Sequence, residues 1–512
     1  MEFTDLPEHI FIIIVSLLPL VDAVRLCSLC KQWLDLWVHC RAIELNRSWF
    51  TNQARAYCRT MGTRRYFAGY VRQMLPRFLE PEIDYFILRL HFESNNSKDQ
   101  SFLDRVLVFA AEKKVKDLYL DFFTEETLHM FHHCSLRTAE SHPSVLNITE
   151  TLNQVTSLRV LRLTCCGLKD FNFGHEKTFM LLTSLYITGM FVTRDIVANI
   201  GFSSPNLEEV SLVDCRMDDY HLPFNATWSK LRRLIVRGGP SLVGLELSAP
   251  NIQYLEMAVF VWDLHLGNMK NLAEVVFNLK NRTGHCYWDI DLIDVLDGLR
   301  WMKMLTLTHG FLEALPYNGE HVQLQYLLSN LQVPFADPSY DELPMILGNL
   351  EHFRANTTLE GPALSGAFCI IRSSPKIKSI WIQASYGNDI GQGSMAQLPL
   401  YRRQLQQTFK PPRHPFSALE ELKLEGYIGS HEQVNFVEFF LRYSPSLQKV
   451  FMIFPNTTEI VNDAVATLIK WTMTEIKKLE RYVLSPDVEI VFQTNHVEMR
   501  APLRALNINY SF

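Results

Sequence analysis

The feature that most restricts the fold of this 512-residue chain is an apolar spacing, apolar-x-x-apolar-x-apolar, that recurs along most of its length. It reads Tyr85/Leu88/Leu90, Val115/Leu118/Leu120, Leu158/Leu161/Leu163, Leu182/Leu185/Ile187, Leu207/Val210/Leu212 and Leu231/Leu234/Val236. It continues as Ile252/Leu255/Met257, Leu272/Val275/Phe277, Met302/Leu305/Leu307, Ile377/Ile380/Ile382, Leu419/Leu422/Leu424 and Leu447/Val450/Met452. From Leu158 to Leu272 the steps are 24, 25, 24, 21 and 20 residues; the next is 30. Side chains alternate across a strand, so each triplet predicts a short strand with its last two apolar residues inward and the first closing the preceding turn. One such unit cannot cover its own apolar face, so many must stack. Pro205, Pro250 and Pro375 stand just before strands, where proline ends a returning segment. Between 310 and 375 the register weakens: Leu324/Leu327 and Leu350/Phe353 hold two degenerate units, and Pro334 to Pro344 reads as a loop. Gly387 to Gly393 reads as a second loop, and such insertions gather on a rim where partners bind.

A period of 20–29 residues with this core resembles leucine-rich repeats. The resemblance implies an α/β solenoid, a horseshoe with parallel strands on the concave face.

The first forty residues are built differently. Leu6-Pro7 precedes an apolar run, Ile10–Leu18; Pro19 follows, and then Val24, Cys27, Leu29, Cys30, Trp33 and Trp37 at near-helical spacing. Asp5 reads as the N-cap of the first helix, with Pro7 and Glu8 in its first turn. Glu2, Asp5 and Glu8 stand where an export signal carries basic residues, and the run is far shorter than the roughly 20 residues a membrane span needs. Helices this apolar cannot bury themselves, which predicts a partner. The order resembles an F-box, the helical module that docks on a SKP-type adaptor. The resemblance implies Leu6, Pro7, Ile10, Ile14, Leu17, Leu18, Pro19, Leu26, Leu29, Cys30 and Trp33 as adaptor-binding residues. Leu34 departs from the pattern, which more often has a basic residue there.

The C-terminal part, Phe416–Leu424 with Gly426 and Gly429, then Val434–Leu441, Ser444–Val450, Arg481–Pro486 and Glu489–Phe492, is similar to the FBD segment of plant F-box/leucine-rich-repeat proteins. Phe86–Phe92 and Phe102–Phe122 match segments those proteins carry between box and repeats; the expected Trp near Val108 is missing, and His132-His133-Cys134 is looser than the usual motif. A helix over Asp463–Tyr482 is expected to cap the last sheet edge. The organisation expected is an F-box over 1–48, a helical linker over 49–82, the solenoid over 83–410, and FBD-like terminal repeats with a cap over 411–512.

Charge and cysteine usage narrow the function. A net charge of −6, from 49 Lys and Arg against 55 Asp and Glu, supplies no basic field for nucleic acid or anionic lipid. The ten cysteines are scattered and flanked by apolar residues, the usage of free thiols in a reducing compartment, cytoplasm or nucleus. Cys27-x-x-Cys30 lacks the second pair a zinc site needs, and His129, His132, His133, Cys134 and His142 fit no ligand spacing. Cys165-Cys166 reads as core at a strand end, and Gly391-Gln392-Gly393 does not follow a strand as a phosphate loop would. No catalytic, metal or cofactor site is expected.

The resemblance then implies a non-catalytic adaptor. Its F-box would bind a SKP-type adaptor, and through it a cullin scaffold and a RING subunit, while the repeats hold an unidentified protein substrate for ubiquitin transfer. Two other readings stand beside it: an interaction scaffold, and a small-molecule co-receptor of the hormone-sensing type, for which Arg216, Arg232, Arg233 and Arg237 are the basic candidates.

Overall fold

The computed structural model describes residues 7–46, 61–90, 97–122, 148–167, 178–215, 222–225, 227–238, 242–258, 261–267, 269–278, 292–315, 342–357, 359, 361–384, 409–455, 474, 487–493 and 498–502. The chain divides into two units, Met1–Ile252 and Gln253–Phe512.

In the first unit two short helices, α1 (Glu8–Ser16) and α2 (Leu20–Cys27), each begin after a proline, whose fixed φ suits a helix start. Pro7 is the N-cap of α1; Asp5 and Leu6 lie outside the described residues. The second helix is shorter than the apolar spacing predicts. It ends at Cys27, and single 3-10 turns at Lys31–Trp33 and Leu36–His39 fold the chain back over α1.

Strands β1 (Ala42–Asn46), β2 (Tyr85–Arg89), β3 (Asp117–Asp121), β4 (Val160–Thr164), β5 (Ser184–Thr188) and β6 (Glu209–Val213) pair in parallel, each with the next. A short strand β7 (Leu222–Phe224) leaves this sheet, β8 (Arg233–Arg237) returns to pair with β6, and β9 (Leu242–Leu247) pairs with β7 as a second layer. The strand β1 belongs to the sheet although the expected 1–48 boundary placed it in the box. Its core reads Cys40/Ile43/Leu45, one repeat more than the predicted triplets. The first predicted triplet is also displaced by two residues. Phe86 stands opposite Leu118 and Leu88 opposite Leu120, so the core triplet is Ile83/Phe86/Leu88 and Tyr85 faces solvent. Apolar residues at every position of Tyr85–Leu90 except Arg89 allow either register, and the neighbouring strand decides between them.

The second unit repeats the scheme. Strands β10 (Tyr254–Ala258), β12 (Glu274–Phe277), β13 (Met304–Thr308), β14 (His352–Thr357), β15 (Ser379–Ala384), β16 (Glu421–Glu425), β17 (Lys449–Ile453) and β18 (Glu489–Gln493) pair in parallel in that order. Strand β19 (Glu498–Pro502) closes the row antiparallel to β18, and β11 (Val261–Leu266) lies outside it. Leu350/Phe353 is thus a full repeat; Leu324/Leu327, both predicted loops over most of their length, and the cap helix except Thr474 lie outside the described residues.

One backbone device recurs in both units. A single carbonyl ahead of each strand accepts the N–H groups of two residues in the next repeat: Thr183 from Glu208 and Glu209, Glu208 from Arg232 and Arg233, Glu351 from Lys378 and Ser379, Lys378 from Glu420 and Glu421. The returning helices Arg194–Ser203, Gly361–Arg372 and His431–Tyr443 end at Ser-Pro, where Leu207, Ile377 and Leu447 donate back to the serine carbonyls. After the strands the chain turns through left-handed residues: Cys165 (φ 54°), Gly189 (φ 60°), Asp214 (φ 51°), Gly238 (φ 69°) and Gly426 (φ 75°). A Cβ on Gly238 would lie 1.8 Å from the Asp214 carboxylate, so both conformation and space require glycine there. The stacked parallel strands with returning helices are those of a leucine-rich-repeat solenoid behind a small helical box.

Candidate functional site

The box presents two apolar faces. Phe11 and Val15 of α1 and Leu20, Ala23 and Cys27 of α2 point inward and are buried. Trp33 joins them at 3 % exposure, its ring stacked on Phe11 with centroids 3.9 Å apart. The hairpin is tied to the sheet through a β-bridge between Pro19 and Ala42, with the Cys40 thiol 3.1 Å from the carbonyls of Leu18 and Ala42. Arg77 stacks on Trp37 and pairs with Asp35 at 2.8 Å, and the Leu79 N–H donates to Val38 O.

Among the described residues the second stripe of α1 has no such partner. Ile10, Ile13 (55 %) and Leu17 (78 %) follow i, i+3, i+7 spacing and are exposed, as are Val24, Leu29 (71 %) and Leu34. Of the residues implied by the F-box resemblance, Pro7, Ile10, Leu17, Pro19 and Leu29 are therefore exposed, while Ile14, Leu18, Leu26 and Cys30 are half-buried. Trp33 departs from the expectation of an outward anchor, since it fills the hairpin core. Leu6 lies outside the described residues. Ile13, Val24 and Leu34 are exposed beside them although the resemblance does not place them among the adaptor-binding residues; Ile13 is legible in sequence as the middle of the Ile10/Leu17 stripe.

The sheet faces turned away from the core differ between the units. In the first, charges are matched: Arg89 reaches Glu44 at 3.1 Å and Asp121 at 3.7 Å, and Arg233 reaches Glu209 at 3.3 Å. Arg162 lies 4.3 Å from the ring centre of Tyr186, whose hydroxyl donates to Glu209 at 2.6 Å; burial, then this carboxylate, pushes that phenol up. Arg232 pairs with Glu208 at 3.5 Å, so two of the arginines considered for a small-molecule pocket already hold carboxylates. Arg216 lies outside the described residues.

In the second unit the strand register brings Arg354, Trp381 and Lys423 into one row across β14, β15 and β16. The Arg354 guanidinium lies 4.5 Å from the centre of the indole and the Lys423 ammonium 4.0 Å. Neither cation has a carboxylate partner among the described residues.

Cys40, Cys166 and Cys215 are buried against backbone carbonyls. Cys166 and Cys215 occupy the same place two residues past their strands, each with its thiol beside two carbonyls, of Leu120 and Thr164, and of Ile187 and Val213. Burial pushes Cys166 well above the usual thiol range, Cys215 up to about 12 and Cys40 to about 11. Thiols so held are poor nucleophiles.

Comparison with known proteins agrees with this geometry. A family model described as "At1g61320/AtMIF1, LRR domain" matches residues 82–360, and the F-box domain model matches residues 3–43. The putative FBD-associated F-box protein At1g61330 of Arabidopsis thaliana is 23% identical over 456 residues, covering 88% of this chain and 90% of that protein. The FBD-associated F-box protein At1g61320 of the same plant is 23% identical over 466 residues, 90% of this chain and 89% of that protein. Among solved structures, the crystal structure of the mouse RP105/MD-1 complex is similar at 10% identity and a TM-score of 0.33, over 81% of this chain and 61% of that chain. The repeat model spans more than half of the sequence and takes in strands β2 to β14, so the chain belongs to the At1g61320/AtMIF1 leucine-rich-repeat domain family and carries an F-box at its N-terminus.

Proposed function

We propose that this chain is the substrate-recognition subunit of a cullin–RING ubiquitin ligase of the SCF type. The observation that carries the reading is the outward apolar stripe, Ile10, Ile13 and Leu17 with Val24, Leu29 and Leu34, on a hairpin whose own core is already filled. An exposed apolar cluster of this kind marks a protein interface. The adaptor-docking residues are Pro7, Ile10, Leu17, Pro19 and Leu29, with Leu6 ahead of them and Ile14, Leu18, Leu26 and Cys30 contributing edges. A SKP-type adaptor held there links the chain to a cullin scaffold and a RING subunit, and the repeats hold the protein to be modified.

The chain itself supplies position rather than a reacting group. Tethering raises the effective concentration of substrate lysines beside a charged conjugating enzyme, the gain that any linked binding provides. The setting is the cytoplasm or nucleus, which suits its buried free thiols.

The test is co-purification of the full chain with a recombinant SKP-type adaptor and cullin, beside the Leu17→Asp variant. Capture by the wild type and its loss in Leu17→Asp are expected; equal capture by both sinks the docking assignment. Proteins that accumulate on the chain only when cullin activity is blocked are substrates. A captured set indifferent to that block favours a scaffold instead.

A further inference from the structure

We propose that the Arg354–Trp381–Lys423 row is a docking site for an acidic segment of a protein partner. It rests on the reading that the repeats hold that partner, and it names where and by what chemistry.

On the outward strand faces Arg89, Arg233 and Lys378 each hold a carboxylate, and Arg162 stacks on Tyr186. Arg354 and Lys423 are held against the two sides of an indole, with no carboxylate partner among the described residues. Glu421 and Glu425 flank Lys423 on β16, yet the ammonium is drawn to the ring of Trp381 on the next strand. Stacking on an aromatic face fixes a cation without neutralising it. Its charge and hydrogen-bond donors stay available to an incoming anion, and less side-chain freedom is lost on binding. The outward neighbours on β14 and β15 are His352, Asn356, Ser379 and Gln383, polar groups that carry no negative charge.

Spacing selects the occupant. The strands of Arg354 and Lys423 are about 10 Å apart, and the two cations, 4.5 and 4.0 Å from the same ring centre, stand at most about 8.5 Å from each other with the indole between them. Two carboxylates three residues apart on an extended, polyproline-like segment face the same side about 9 Å apart and match the pair. Nucleic acid fits less well: its binding rests on many phosphates neutralised by Lys and Arg, and the chain is acidic at net −6.

The test uses the full chain and a fluorescein-labelled peptide with Glu at every third position, beside its Lys counterpart and an oligothymidylate, read by anisotropy at low and physiological salt. The Glu peptide should bind and the Lys peptide should not. Arg354→Gln with Lys423→Gln should weaken binding about two- to thirtyfold, the range for two exposed charged contacts. Reversing both charges to Glu should abolish it. Trp381→Leu should also weaken binding although no charge is lost, since the cations lose their support. Undiminished binding by the charge-reversed chain, or equal binding of the Glu and Lys peptides, would overturn the proposal. So would tighter binding of the oligothymidylate that disappears with the same reversal. Adaptor capture by the charge-reversed chain reads the ligase assignment separately: capture intact with no peptide binding removes only this site.

Discussion

Replacing Leu17 and Leu29 together by alanine separates docking from folding, and Trp33→Ala provides the opposite case. In the free chain the two leucines are 78 % and 71 % exposed, so their truncation removes little packing and should shift unfolding by less than about 0.5 kcal/mol. On an adaptor surface each would lose most of that exposure. Full burial of a leucine side chain stabilises by about 1.5–3 kcal/mol, and scaling by the exposed fraction leaves about 1–2 kcal/mol per residue. The pair therefore accounts for about 2–4 kcal/mol, a weakening of roughly thirty- to a thousandfold in Kd. Trp33 is already buried against Phe11, and its removal leaves a cavity in a hairpin with little other core. Losses of about 3–5 kcal/mol are usual for such a change, enough to melt the box locally and take docking with it. Calorimetric titration with a SKP-type adaptor gives Kd, and amide exchange over residues 8–39 reports box stability. The leucine pair should lose affinity with exchange unchanged, whereas Trp33→Ala should lose both. A leucine double variant that binds within about threefold of wild type, or that exchanges like Trp33→Ala, would refute the division into an inner and an outer stripe.

Three further outcomes test the solenoid. A Cβ at Gly366 would stand 2.0 Å from the Leu312 carbonyl oxygen, so Gly366→Ala must push apart the helices Gly361–Arg372 and His309–Ala314; the gain of about 1 kcal/mol in helix propensity should be outweighed, with urea unfolding showing a net loss of about 1–2 kcal/mol. Gln433→Ala should cost about 2–4 kcal/mol by the same measurement, because its side-chain oxygen accepts from the N–H groups of Ile428, Gly429 and Ser430 and its amide donates to Gly426 O; an unchanged midpoint would show that water replaces it. The raised thiols stay protonated at pH 8, with roughly one Cys215 in ten thousand as thiolate, so iodoacetamide should modify half-buried Cys30 well before Cys40, Cys166 or Cys215 in the native chain; peptide mass mapping with Cys215 labelled as fast as Cys30 would contradict the burial argument.

Much of this architecture is written locally. The alternation of a strand and the need of each unit to cover its neighbour follow from Leu158/Leu161/Leu163 and its successors alone, which is why the triplets from Val115 onward all became strands. The box was legible because two Leu-Pro starts and a run whose one polar side chain is Ser16 can form only short helices that seek apolar company. What sequence leaves open is direction. Ile10, Phe11, Ile13, Val15 and Leu17 are equally apolar, and only the closing 3-10 turns over α1 assign Phe11 and Val15 to the inside and the others to the outside. The same closure takes Trp33 inward. In Tyr85–Leu90 both registers are apolar, and pairing with β3 selects one. The Arg354–Trp381–Lys423 row could not be read from sequence because connections of unequal length separate its members. Hydrogen-bonded register in the folded sheet, not proximity along the chain, brings them level.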